Sequence, residues 1–579
     1  MEDGGYYVIV YSDKKEIILD KDGAILYMPL TVSEEIEPGD YNIFVKDIVM
    51  VDENTEQVLI SKTISKLTIP AYTLGDANDD GMINITDVVA VISYMLKESP
   101  NPFIFKAADV NCDEMINVTD VVGIIDIMTS GASSAKPEMA MAKKAVKKSA
   151  KTGNSLEIVP FTVAAGTTSM NVALELNNPG DEFTALECKV FLPEGVDWDY
   201  TIDRRGNKIY KQPTFNEDRT DANYHTINSI SKVDGGYYVI VYSDKKEIFL
   251  DEDGALLYLP LVFDENINPG VYDIRVGDIV LARPDVTQEL LDDYTASVLV
   301  GSPEIASLSL NGDFTADAIA EYNTALASNT KVAAMDFSNA TDVDATTAIA
   351  TGNRNLLVYV AEGKIVKNEN NAVIGDACAN LVLTDGYSFC TPKAFTAAKA
   401  SYTRTATNTH GTLCLPFAPT SVAGDLYELT SSTETSLTFS PVITPEANVP
   451  YLYYCENDKV EASNVAVGTE GAGSVTSGDW TMTGTYEPQV FSASKNAFAM
   501  FEGKLYKNTG TLTMNPFRAY FTTSGSAAKA DIFVETPTGI ENISAGSIED
   551  NGRMYNLQGI MVNKNYQGMK IVNGKKYIK

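Results

Sequence analysis

Two short acidic runs hold the residues best suited to chemistry in this 579-residue chain: GDANDDGMINITD at 75–87 and ADVNCDEMINVTD at 108–120. An oxygen cage for a hard divalent cation draws its ligands from a tightly curved twelve-residue loop. Side chains at positions 1, 3, 5, 9 and 12 turn inward, and position 7 gives its backbone carbonyl. In the first run these positions are Asp76, Asn78, Asp80, Asn84 and Asp87, with Met82 supplying the carbonyl. In the second they are Asp109, Asn111, Asp113, Asn117 and Asp120, with Met115 at position 7. Each loop carries three carboxylates, enough to neutralise a divalent ion, and oxygen donors without thiolate or imidazole favour Ca2+ over zinc or copper. The plain alternative is an acidic, Asn-rich turn with no ion. Two full matches in tandem outweigh it. Position 6 is Gly81 in the first loop, where the sharp turn asks for positive φ, but Glu114 in the second. A non-glycine residue there costs on the order of 1 kcal/mol, so the second loop is expected to bind more weakly.

Each loop must be positioned by the segment on its C-terminal side. That segment is VVAVISYML for the first loop and VVGIIDIM for the second, both with helical spacing. Val88, Val89, Ile92 and Met95 are expected to share one face, and Val121, Val122, Ile125 and Met128 the corresponding one. The tandem loop–helix pair, over about 73–130, closely resembles a type I dockerin. The resemblance implies a small Ca2+-dependent module that plugs into a cohesin-like protein domain. In that family, loop positions 10 and 11 meet the partner, often as Ser-Thr. Here they are Ile85-Thr86 and Val118-Thr119, so the threonines match and the residue before each is apolar. Both pairs are expected to be exposed, and the near-symmetry of the repeats implies two docking orientations.

The rest of the chain reads as mainly β. Residues 3–30 and 234–261 are near-identical at an offset of 231, differing only at positions 18, 21, 25 and 28 of the first copy, so part of the chain is duplicated. The second copy lies within a unit over 154–302 whose short alternating strands between turn signals argue for a β-sandwich. MNVALEL at 170–176 alternates, as do Tyr237, Val239 and Val241 against Tyr238, Ile240 and Tyr242. The stretches DEFTALECKVFLPEGVDW and GALLYLPLVFDENINPGVYDIRVGDIVLA resemble cohesin-like domains of secreted bacterial proteins. Residues 1–72 carry only the later strands of such a unit. They are expected to form a partial sandwich with open strand edges, the missing strands and any signal peptide lying upstream.

The remaining segments are expected as a solvated lysine-bearing linker at 131–153, a strand-rich, solenoid-like region at 303–391, a β-sandwich-like domain at 392–535, and a linker with a terminal β segment at 536–579. In the solenoid-like region, apolar strands recur at 305–310, 331–337, 355–360 and 379–383. The apolar phrases of 392–535 resemble a β-sandwich of large secreted Bacteroidales proteins. The ending RMYNLQGIMVNKNYQGMKIVNGKKYIK resembles terminal segments of Bacteroidetes secreted proteins, some of which act in surface sorting; a plain hairpin cap is the alternative.

The fold class is therefore mainly β and multidomain: cohesin-like sandwiches, a small all-α paired EF-hand-like module, and further β domains. A net charge of -34 argues against a nucleic-acid partner. No run of about 20 apolar residues suggests a transmembrane segment. Six scattered cysteines include no CxxC pair, and they read as free buried thiols or as pairs between Cys378 and Cys390 or Cys414 and Cys455. The two histidines read as structural, and no GxSxG, HExxH or phosphate-binding glycine loop marks an enzyme. The sequence thus points to a secreted or cell-surface, non-catalytic protein that docks through Ca2+-dependent contacts in a cellulosome-like or polysaccharide-processing assembly. Two alternatives stand beside it: a carbohydrate-binding accessory protein with a polysaccharide partner, or the non-catalytic part of a secreted hydrolase.

Overall fold

The computed structural model describes residues 6, 8–12, 39–51, 55–69, 72–130, 147–148, 153–220, 223–404, 410–454, 459–493, 496–501, 504–535 and short strands within 541–578. Strands dominate, with four α-helices among the described residues.

The first described strands are β1 (Gly39–Val45), β2 (Ile48–Val51), β3 (Gln57–Ile60) and β4 (Thr63–Ile69). β1 pairs with β4 and β2 with β3, both antiparallel. The loop–helix module comes next, with α1 (Ile85–Met95), the single turn α2 (Phe105–Ala108) and α3 (Val118–Ser130). Its two acidic loops are tied together by backbone bonds from Gly75 N to Ala107 O and from Ile104 N to Ala77 O, both 2.8 Å.

The sandwich comprises β5 (Ser155–Glu157), β6 (Phe161–Val163), β7 (Ser169–Asn177), β8 (Ala185–Phe191), β9 (Val196–Trp198), β10 (Thr214–Phe215), β11 (His225–Ile227), β12 (Ser231–Val233), β13 (Gly236–Ser243), β14 (Ala255–Phe263), β15 (Gly270–Ala282), β16 (Gln288–Leu291) and β17 (Tyr294–Val300). One sheet runs β9-β14-β7-β5, with β10 also on β14; the other runs β11-β13-β8-β15-β16 and ends on the short strand Lys147–Lys148 beside β16, with β12 on β13 and β17 joining β15 to β6. Period-2 alternation decides what each sheet offers to each side. Leu174 and Leu176 of β7, Leu186 and Val190 of β8, and Tyr237, Val239 and Val241 of β13 all enter the core between the sheets. The outward residues of the second sheet include Tyr238, Ile240, Val280 and Ala282, which are apolar and yet buried. Something covers that face, and it is α3.

The duplication reaches beyond the near-identical stretch. β1 pairs with β4 as Gly39 with Ile69 through Val45 with Thr63, and β15 pairs with β17 as Gly270 with Val300 through Val276 with Tyr294. β2–β3 likewise repeats the register of β15–β16, Ile48 with Ile60 matching Ile279 with Leu291. Both registers correspond at the offset of 231.

Beyond the sandwich, β18 (Ser307–Ser309), β19 (Ala334–Phe337), β20 (Leu357–Val360) and β21 (Ala372–Ile374) pair in parallel, each with the next, and α4 (Ala316–Leu326) packs beside them. Asn353 and Asn355 are buried next to β20 and donate to carbonyls of Thr330, Ser388, Thr384 and Tyr387. These bonds satisfy backbone carbonyls of the segments on either side of β20. Residues 410–534 contribute a ten-stranded sheet, and short strands within 541–578 make a five-stranded one. Within 131–153, Lys147 and Lys148 pair in parallel with Glu289 and Leu290 of β16, so the expectation of a solvated linker is corrected for these two lysines. Most of the remaining linker residues and of 536–579 lie outside the described residues, and the expectation of a sorting segment does too. Cys112, Cys188, Cys378, Cys390 and Cys414 are free thiols, and Cys455 lies outside the described residues.

Candidate metal loops and docking face

The two acidic loops close by the same backbone bonds. In the first, the Asp76 carboxylate accepts from Asp80 N at 3.1 Å and Gly81 N at 3.0 Å. Asp87 accepts from Asn78 N at 3.1 Å and Asn84 N at 2.9 Å. In the second, Asp109 accepts from Asp113 N at 3.1 Å and Glu114 N at 3.0 Å, and Asp120 from Val110 N at 2.9 Å and Asn117 N at 3.0 Å. The position-9 asparagines begin the helices: Asn84 accepts from Thr86 N and Asn117 from Thr119 N, each at 2.8 Å. A side-chain acceptor at a helix N-cap contributes about 1 kcal/mol. Gly81 and Glu114 both have positive φ, +83° and +69°, so Glu114 makes the same turn with a strained backbone. Met82 and Met115 are exposed, and their backbone N–H groups donate to Asp80 Oδ1 and Asp113 Oδ1, each at 2.9 Å.

Burial, first of all, pushes the Asp87, Asp109 and Asp120 carboxyls above their ordinary range, and neighbouring loop carboxylates push the same way. Among the described residues no group of three or more His, Cys, Asp or Glu side chains is gathered tightly enough to hold an ion by itself. The donor set is wider than those types, however: each loop adds two asparagines and a carbonyl. Each loop has two buried carboxylates, Asp76 and Asp87 or Asp109 and Asp120, with a third that is exposed in Asp80 and half-buried in Asp113. Three like charges among hard oxygen donors fit a divalent cation of the Ca2+ type.

The structure separates the two candidate contact pairs. Ile85 is 50% exposed and Thr86 is exposed, as expected, whereas Val118 and Thr119 are fully buried. The expectation that both pairs face solvent is therefore corrected for the second repeat, because α3 lies on the outer face of the β8–β13–β15 sheet. Val118, Val121 and Val122 join Ala185, Tyr238, Ile240, Val280 and Ala282 in one apolar cluster, which continues into α1 through Val88, Val91 and Ile92. The expected shared face of Val88 and Val89 is corrected too: Val89 is 57% exposed, whereas its counterpart Val122 is fully covered by the sheet.

Polar contacts frame this patch. Val118 N donates to Glu187 Oε2 at 2.7 Å, and Tyr238 OH donates to the other Glu187 oxygen. Gln288 Nε2 donates to Asp113 Oδ2 at 2.6 Å, and Gln288 Oε1 accepts from Asn117 Nδ2 at 2.9 Å and Thr119 Oγ1 at 3.0 Å. Lys246 pairs with Asp126 at 2.5 Å. The second repeat is shaped for this seat. Its Gly123 stands where the first repeat has Ala90, and a Cβ at Gly123 would meet Val110 at 2.9 Å and Val286 of the sandwich at 3.2 Å. Ser93 likewise stands where Asp126 makes its ion pair. Sequence reasoning missed Glu187, Tyr238, Lys246 and Gln288. The available signal was the row of outward apolar residues on a sheet whose other face already forms the core.

Burial raises the Glu187 carboxyl from 4.5 to about 7, against the opposing pull of the Tyr238 and Val118 donors and Lys189. The docked state then holds the proton more tightly than a state with Glu187 in water. Docking is accordingly expected to be firmest at the acid end and to loosen as pH rises from about 4.5 through 7. Glu187→Gln should flatten that slope, as read from amide exchange of α3 across pH 5–8 at saturating calcium. A slope unchanged in the variant would refute the assignment to Glu187.

His225 is buried, stacks on Phe249 with ring centroids 5.0 Å apart, and lies 3.0 Å from the Glu247 carbonyl, a structural setting. His410 opens the strand His410–Leu413.

Residues 74–128 match the family model of the dockerin type I domain. Similar solved structures are cohesin modules. The seventh ScaB type I cohesin from Pseudobacteroides cellulosolvens is 14% identical, with 26% of this chain and 92% of that one covered, at a TM-score of 0.20. The cohesin module of a family 33 glycoside hydrolase from Clostridium perfringens is 13% identical, with 25% and 94% covered, at a TM-score of 0.20. A non-cellulosomal cohesin from the archaeon Archaeoglobus fulgidus is 12% identical, with 26% and 91% covered, at a TM-score of 0.18. No curated protein matches the chain.

Proposed function

We propose that residues 73–130 are a Ca2+-dependent docking module in a non-catalytic, secreted or cell-surface protein, and that its receptor is a cohesin-like sandwich of the kind this chain itself carries at 154–302. The observation that supports this most directly is the seat of α3. A module expected to plug into a separate sandwich has its second contact pair, Val118-Thr119, buried on the chain's own sheet. The interface has the anatomy of a recognition surface. An apolar centre, with each buried valine worth about 1.5–3 kcal/mol, is rimmed by specific hydrogen bonds and one ion pair. Asp76, Asn78, Asp80, Met82, Asn84 and Asp87 would hold one ion, and Asp109, Asn111, Asp113, Met115, Asn117 and Asp120 the other. Their task is to charge-balance the loops and so aim the helices; no bond-making step is assigned to the chain.

The test is a calorimetric calcium titration of the whole chain. Two equivalents are expected, with one lost on Asp76→Ala and the other on Asp109→Ala. A chain that takes up no calcium would overturn the reading.

A further inference from the structure

Gln288 is the only sandwich side chain that bonds directly to proposed ligand positions of a loop among the described residues. It is 7% exposed, at the first position of β16. Its amide nitrogen meets Asp113 at loop position 5, and its amide oxygen meets Asn117 at position 9 and Thr119 at position 11. All three hydrogen-bonding directions used by this amide point at one loop.

Among the described residues the first loop has no such visitor. There Thr86 serves the loop itself: Asn78 Nδ2 donates to Thr86 Oγ1 at 2.7 Å, and Thr86 Oγ1 lies 3.4 Å from Asp80 Oδ2. In the second loop the matching threonine has turned outward to Gln288. The second loop also carries the strained Glu114 in place of Gly81. One loop is thus self-sufficient in its outer hydrogen bonds, and the other borrows them from the sandwich.

We propose that Gln288 is a positioning residue for the second cation loop, so that calcium at that loop and docking of α3 on the sandwich strengthen each other. The proposal rests on the calcium-dependent docking reading above. Groups that hold metal ligands in place typically change metal affinity 10–100-fold when removed. A coupling of this kind is reciprocal by thermodynamic necessity: whatever factor docking adds to calcium affinity, calcium adds to docking. In the docked chain, the handicap of Glu114 is offset from outside the loop, and the second loop need not be the weaker one.

The experiment is a calcium titration of the full chain in an Asp76→Ala background, which leaves the second loop as the measured site. Gln288→Ala should weaken that site by about 10-fold. In a parallel Asp109→Ala background, which isolates the first loop, the same substitution should leave calcium affinity unchanged. Val280→Asp, which disturbs the seat without touching any loop contact, should weaken the second site in the same direction. It also serves if Gln288→Ala perturbs β16. Second-loop affinity unchanged in both variants overturns the coupling while leaving calcium-dependent docking intact. Equal weakening of both loops by Gln288→Ala also overturns it, because a general loss of stability would do that. No calcium uptake by the parent chain would remove the docking reading and this proposal together.

Discussion

In excess EDTA, amide exchange across α1 and α3 is expected to accelerate by orders of magnitude. The outward face of β8, β13 and β15 should lose protection with them, while the core between the two sandwich sheets keeps its own. Without an ion, each loop confines three carboxylates, and Asp120 is fully buried. Burying an uncompensated carboxylate costs several kcal/mol. Among the described residues the module has two helices longer than a single turn, of 11 and 13 residues, to repay that cost, and units of this size generally need a staple. Because α3 supplies the lid of the sandwich face, unfolding the module uncovers Tyr238, Ile240, Val280 and Ala282. Hydrogen exchange measured with calcium and with EDTA separates the two regions. Helices that keep their protection in EDTA would show that the loops need no cation.

The second large effect comes from comparing positions that the repeat makes equivalent. Val122→Asp should cost on the order of 3 kcal/mol or more, since it places a carboxylate without a partner under the sheet. Val89→Asp, 33 residues earlier on the same helical position, should fall within about 0.5 kcal/mol of the parent, because its side chain already meets water. Calorimetric melts of the whole chain at saturating calcium give both numbers. Comparable losses at the two positions would contradict the seat of α3.

Much of this was open to sequence reading, for reasons that can be located. The loop–helix repeat was legible because it is local: twelve consecutive residues make each acidic turn, and the same spacing recurs 33 residues later. The strand Gly236–Ser243 was legible because alternation is local as well. The docking face was not. Tyr238 and Ile240 come from β13, Val280 and Ala282 from β15, and Gln288 from β16, and only the sheet order brings them under one helix. The contrast between Val89 and Val122 was equally hidden. Helical spacing says which residues share a side of a helix but not which sides will be covered. The solenoid-like parallel strands lie between these cases: their recurrence showed in 305–383, whereas the parallel pairing of β18, β19 and β20 is a long-range fact.

The seat of α3 on its own sandwich also sets terms for any rival. Ser130 and Gly153 belong to one chain with 22 residues between them, and tethers of such length hold linked partners at effective concentrations of about millimolar. A free receptor, to displace the built-in one at α3, must be comparably abundant or bind correspondingly more tightly, and must wait for the tethered pair to part. That handicap applies only to the second repeat. The side of α1 bearing Ile85, Thr86 and Val89 faces no resident competitor among the described residues, so a newcomer there faces ordinary bimolecular odds.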